Sequence, residues 1–177
     1  MEFEEKEKLL NVLELSYKKY YNLLYNYGLK LTNSPEHVQD FIQEIFIRLC
    51  RRGDIGNILD LKIYLLRAMR NTIYDYYAAK KEIVCIDDLE FLIPEDDEVF
   101  RKLFSINDEE LQRYQTLLET INTLPNMQKQ ILYLFYVKEL SHKEIGEILE
   151  INPQSSMNSL SKSIRKLRMQ FGQIPTK

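Results

Sequence analysis

Residues 34–53, SPEHVQDFIQEIFIRLCRRG, leave little choice of secondary structure. Val38, Phe41, Ile42, Ile45, Phe46, Leu49 and Cys50 recur at the spacing that lines one face of an α-helix. The ends are marked too. Ser34 is placed as an N-cap, Pro35 at the first helical position and Glu36 in the first turn. Gly53 can adopt the left-handed backbone that stops a helix. With five glycines and five prolines in 177 residues, breakers are too scarce to interrupt this period often.

The same period runs through most of the chain. Residues 3–28 are rich in Leu and Tyr at helical spacing, with Gly28 expected just past the helix end. After a loop, Asp54–Asp60, a third long helix is predicted over 61–81. The pattern then lapses around Pro94. Ile86, Leu89, Phe91, Leu92 and Ile93 show no sustained period there, and a short helical piece is expected near 97–104. Helical pattern resumes at about Leu111, breaks at Asn122–Pro125, and restarts with Ile131, Leu132, Phe135 and Tyr136 as an apolar face. Strand-like alternation is nearly absent. The expected fold is all-α: two small helical domains, 1–83 and 114–177, joined by an acidic linker, 84–113.

Charge is segregated along this framework. The whole chain carries −3, which argues against indiscriminate nucleic-acid binding. Residues 85–115 hold ten acids against three bases, whereas 157–177 hold five bases and no acid. Cys50 and Cys85 are the only cysteines, which gives neither metal-ligand spacing nor a disulfide framework. No apolar run approaches the ~18 residues of a membrane span. The acidic start, MEFEEKEKLL, lacks a signal-peptide pattern, so a cytoplasmic location is expected. Phosphate-cradling and dinucleotide-binding glycine motifs are missing. His37 and His142 lie in unrelated helix starts and are expected to face solvent. No catalytic residue, metal or cofactor is expected, and the chain is not read as an enzyme.

Two stretches carry functional chemistry. In SHKEIGEILEINPQSSMNSLSKSIRKLR, Ser141 and Glu144 form a capping box, and Ile145, Ile148 and Leu149 give the first helix its buried face. Asn152 caps the next, with Pro153 at its first position and Leu160, Ile164 and Leu167 buried. Two short helices joined this tightly make a helix-turn-helix, although structural helical hairpins share the pattern. Lys162, Arg165, Lys166 and Arg168 suit phosphates, while the start of the second helix is uncharged. The 61–81 helix is expected to bury Leu61, Leu65, Ala68, Met69, Thr72 and Tyr76. Its other side gathers Arg67, Arg70, Tyr74 and Lys81, with Asn71 beside them. Cations alternating with rings suit single-stranded DNA, although half-buried tyrosines under arginine stems give the same pattern. On the 36–51 helix, Asp40, Gln43, Glu44, Ile47 and Arg51 lie opposite the apolar stripe, and an Ile among polar groups fits a protein-binding face.

Taken together, HVQDFIQEIFIRLCRR, LKIYLLRAMRNTIYDYYAAKK, LPNMQKQILYLFYVKELSHKEIGEIL and INPQSSMNSLSKSIRKLR resemble, in order and spacing, the sigma factors of bacterial RNA polymerase, specifically the small extracytoplasmic-function type. The resemblance implies a transcription initiation factor that binds core RNA polymerase, directs it to promoters and helps melt the −10 element. It makes Asp40, Gln43, Glu44 and Ile47 contacts to the clamp helices of the largest subunit. It makes the loop from Arg52 through Asn57 to Asp60 a pocket for a flipped −10 base. Arg67, Arg70, Asn71 and Tyr74 become contacts to the non-template strand, with Lys80 and Lys81 near the duplex edge. Ser155, Ser156, Asn158, Ser159, Lys162, Arg165 and Lys166 become contacts to the −35 element, in a domain that also docks on the flap of the second-largest subunit. The acidic linker would thread the RNA-exit path. An anti-sigma factor is a further implied partner.

This chain departs from the family at several positions. Cys50 and Tyr64 stand where Trp is usual. Met157 and Ser159 stand where Lys or Arg is common, and Ser155–Ser156 replaces a Thr-Val pair. Two further readings follow: a sigma-like factor that reads −35 DNA weakly and is recruited by another factor, or a stand-alone helix-turn-helix regulator.

Overall fold

In the computed structural model, the described residues are 2–32, 34–53, 55, 58–82, 85, 89–93 and 108–171. They are helical apart from turns and short extended pieces, and they fall into two compact units, Met1–Leu89 and Glu90–Lys177.

The first unit is three helices: α1 (Glu2–Thr32), α2 (Pro35–Arg52) and α3 (Leu61–Ala79). α2 begins and ends where its sequence signals lie. Gly53 takes φ 71° and returns its N–H to the Leu49 carbonyl. Ser34 has the extended backbone of an N-cap but no side-chain cap bond; its N–H donates instead to Thr32 Oγ1 at 3.1 Å. Asp60 caps α3, accepting from the Ile63 N–H at 3.1 Å.

Gly28 does not end α1. The helix runs four residues further, and Gly28 is buried within it. A Cβ there would lie 3.0 Å from a Val38 methyl carbon and 3.2 Å from the Met69 methyl carbon. The glycine therefore serves the close approach of α1 to α2 and α3, and packing overrides its helix-ending tendency. Leu24, Tyr27, Val38, Ile42, Leu65, Leu66, Met69 and Ile73 form the heart of the core. Because α3 packs against both α1 and α2, its buried face is wider than expected. Ile63, Leu66, Ile73 and Arg70 lie inside it.

The second unit opens with an extended piece, Glu90–Ile93, which packs on the helices that follow. Phe91 and Ile93 are buried, and the Phe91 ring lies 5.5 Å from that of Tyr133. The Phe91 N–H donates to Asn126 Oδ1 at 3.2 Å, and Asn122 Nδ2 donates to the Ile93 carbonyl at 3.3 Å. This part of the 84–113 segment thus belongs to the C-terminal unit's core. The helical piece expected near 97–104 lies outside the described residues.

Then come α4 (Asp108–Asn122), α5 (Asn126–Leu132), a π-helical turn (Tyr133–Val137), α6 (His142–Leu149) and α7 (Pro153–Phe171). α6 and α7 make the helix-turn-helix. Ser141 and Glu144 form both halves of the capping box. The turn passes directly over Gly146, where a Cβ would sit 2.6 Å from the Ile151 carbonyl oxygen, so only glycine fits. Asn152 caps α7 by accepting from the Ser155 N–H at 2.7 Å.

Candidate nucleic-acid interface

The outward face of α2 carries exposed Asp40, Gln43 and Glu44, together with Ile47 at 50% exposure. Glu44 pairs with Arg48 one turn on, at 3.4 Å. These four residues share one side because the opposite side, Val38 to Leu49, is committed to the core.

On α3, Arg67 is exposed, and Asn71 and Tyr74 follow it at spacings of four and three, each half-buried. They form one continuous polar and aromatic strip. Arg70 is not part of it. Its side chain is fully buried, near enough to the equally buried Tyr27 for its charge to act on that phenol. Burial pushes the Tyr27 hydroxyl far above its ordinary pKa, and Arg70 pulls partly the other way. The expectation that Arg70 faces DNA is therefore corrected: the second packing surface of α3, against α1, covers it. Arg52 is exposed at the end of α2, 6.0 Å from the Tyr64 ring centroid. Asn57 lies outside the described residues.

Beyond the C-terminus of α3, Lys80 and Lys81 are exposed, Lys81 with a left-handed φ of 59°. Lys80 hydrogen-bonds the Tyr76 hydroxyl and lies 4.1 Å from that ring's centroid. The bond to Tyr76 holds the Lys80 pKa above the ordinary lysine value. The same hydroxyl lies 3.0 Å from His37 Nε2, so His37 is engaged and half-buried rather than solvent-facing.

On α7 the buried stripe is Ser156, Leu160, Ser163 and Leu167, and Ile164 is half-buried. Two serines occupy core positions because the chain satisfies them. Ser156 Oγ meets His142 Nδ1 at 2.9 Å, and Ser163 Oγ donates to the Ser159 carbonyl at 2.9 Å. His142 also stacks on Phe135 with centroids 4.9 Å apart. The expectations of an outward His142 and a DNA-facing Ser156 are both corrected: the two side chains are used to join α6 to α7. Lys166 is exposed, but its ammonium donates to Thr123 Oγ1 at 3.1 Å. Ser155 and Asn158 are exposed, Ser159 is half-buried, and Lys162 and Arg165 are exposed.

The sequence reading missed Gln154, which is exposed and donates through Nε2 to Asn158 Oδ1 at 3.0 Å. It also missed a groove of about 560 Å³ lined by Tyr136, Leu160, Ile164, Arg165, Arg168 and Met169. Exposed Met169 was the available signal, an apolar side chain on a basic helix end.

A three-helix unit with a strip of Arg, amide and Tyr, followed by a helix-turn-helix unit with a basic reading helix, has the design of a DNA-binding transcription protein. A family model described as Sigma-70 region 2 matches residues 16–83, and one described as Sigma-70, region 4 matches 114–167. The ECF RNA polymerase sigma factor SigM of Bacillus subtilis (strain 168) is 26% identical over 153 residues, covering 86% of this chain and 90% of SigM. RNA polymerase sigma factor SigZ of the same organism is 25% identical over 163 residues, covering 90% of this chain and 86% of SigZ. RNA polymerase sigma factor FliA of Escherichia coli (strain K12) is 30% identical over 118 residues, and the match spans about half of FliA, 47%. The chain belongs to the sigma-70 family, in its small extracytoplasmic-function form, and is a sigma factor for transcription initiation. That family is not a class of enzymes. No helix among the described residues is long and apolar enough to cross a membrane.

Proposed function

We propose that this sigma factor divides its work among three faces. The α2 face of Asp40, Gln43, Glu44 and Ile47 binds the clamp helices of core RNA polymerase. Its acids and amides surround one exposed apolar side chain, a composition suited to a protein contact. The α3 strip of Arg67, Asn71 and Tyr74, extended by Arg52, Lys80 and Lys81, holds the melted −10 strand. Rings stack on bases while cations follow phosphates. The start of α7 enters the major groove of the −35 element, and Lys162 and Arg165 hold the backbone.

The apolar groove between Tyr136 and Met169, rimmed by Arg168, takes the flap of the second-largest subunit. The acidic segment after Ile93 follows the RNA-exit path, where carboxylates stand in for RNA phosphates. A controlling anti-sigma factor would compete for the same exposed faces.

One observation carries this reading: the strip of Arg67, Asn71 and Tyr74 and the helix-turn-helix occur in one chain, in the order of regions 2 and 4. The test is co-purification of core polymerase with the full chain and with the double variant Asp40→Arg, Glu44→Arg. Wild type retains polymerase and the variant loses it while keeping its helical spectrum. Equal retention by both would remove α2 from the polymerase interface. A stand-alone regulator would retain polymerase in neither case.

A further inference from the structure

We propose that Gln154 and Asn158 act as one unit that reads an adenine in the upstream promoter element. This rests on the −35 role assigned above to α7. The geometry of the helix selects these two residues. α7 turns Ser156, Leu160, Ser163 and Leu167 inward. At about 100° per residue, the line opposite that stripe runs through Gln154, Asn158, Ser161 and Arg165, with Lys162 beside it. All five are exposed. Ser155 and Ser159 lie well off this line, and Ser156 is on the inner side. A duplex facing α7 therefore meets the two amides first. Recognition helices present their N-terminal turns to base edges, which places Gln154 and Asn158 in the groove and Lys162 and Arg165 beside phosphates.

The amide chemistry then selects the base. Gln154 Nε2 donates to Asn158 Oδ1 at 3.0 Å, which couples the two amides on one face of the helix. That bond leaves the Gln154 carbonyl as an acceptor and the Asn158 amino group as a donor. Adenine's major-groove edge offers the complement, an N6 amino donor beside an N7 acceptor. Guanine offers two acceptors there, cytosine one donor, and thymine an acceptor with a methyl group. Among single bases, adenine is the one that pairs the Gln154 carbonyl and the Asn158 amino group together. Met157, 46% exposed on the next position, supplies an apolar surface for the methyl of a neighbouring thymine. The uncharged start of α7 is thus matched to an A·T-containing step, where an arginine would favour guanine.

The test uses core polymerase with the full chain on a promoter library randomised through the −35 region at fixed −10 sequence. Wild type is compared with Gln154→Ala, Asn158→Ala and Asn158→Arg. All substitute exposed helical positions, and thermal melts matching wild type check that the fold is kept. Wild type should prefer adenine at one −35 position by about tenfold or more. Each alanine variant should reduce that preference to about twofold at that position alone, and Asn158→Arg should move it toward guanine. A flat −35 profile with normal transcription would overturn the proposal, as would a preference unchanged in both alanine variants. Absence of any promoter-dependent transcription by wild type would bring down the sigma role and this proposal with it.

Discussion

α3 and α7 are each 19 residues long, and each keeps a polar strip at its surface, yet they handle buried polarity in opposite ways. α3 is packed on two sides, by α1 and α2, and encloses a whole arginine side chain beside Tyr27. Among its described side chains, the polar groups that α7 buries are two serines, whose hydroxyls are satisfied within a few ångströms by His142 and by α7's own backbone. The outer faces differ as well. α3 presents a cation and a ring, suited to unstacked bases; α7 begins with amides, suited to paired base edges. A polar residue on either helix stays at the surface only where no second element covers it.

The units also close their cores differently, and the largest expected effect tests that. The first unit uses α1, 31 residues long, whereas the second uses the extended piece at Glu90–Ile93. Phe91→Ala should destabilise the C-terminal unit by about 4 kcal/mol, because it empties a fully buried ring site beside Tyr133. Hydrogen exchange in α5 and α6 of the full chain reads this, and unchanged protection there would break the comparison. Arg70→Ala should cost the N-terminal unit about 3 kcal/mol, since burial commits that charge to its surroundings. Arg67→Ala should stay within about 0.5 kcal/mol of wild type in the same thermal melt.

Tyr74→Ala should weaken binding of a −10 non-template oligonucleotide to holoenzyme by about 2 kcal/mol without moving the melt. Ser156→Ala should cost the C-terminal unit about 1 kcal/mol through the lost His142 bond, and Ser155→Ala a few tenths. A further effect is alkaline. Tyr27 is held protonated in the fold by burial, with its pKa raised above the ordinary value of 10.0. Above that value the unfolded phenol releases its proton and the folded one does not, so the N-terminal unit loses stability as pH rises past it. Tyr27→Phe should flatten that decline in pH-dependent melts.

Much of the architecture could be read before any coordinates, because it is written in periods and caps. The α2 stripe, Gly53 and the Ser141–Glu144 box depend on neighbours three or four residues away. What could not be read depends on distant elements. Gly28 looks like a helix end until α2 and α3 are placed against it. Arg70 looks outward until α1 covers it, and Ser156 until His142 reaches it. At residues 89–93 the alternation of buried Leu89, Phe91 and Ile93 with Glu90 and Leu92 is only five residues long, and it sits in an acidic stretch that masks it. In α7 the hydroxyls make the serines conspicuous in sequence, although the line opposite the buried stripe passes through Gln154.

The most direct measurement is run-off transcription with purified core polymerase on a duplex promoter, comparing the wild-type chain with the double variant Arg67→Ala, Tyr74→Ala. Discrete transcripts that require the wild-type chain are expected. A severe loss is expected with the variant, largely restored when the −10 bases are mismatched in advance. Equal transcription by both proteins on duplex DNA would contradict the −10 role of α3.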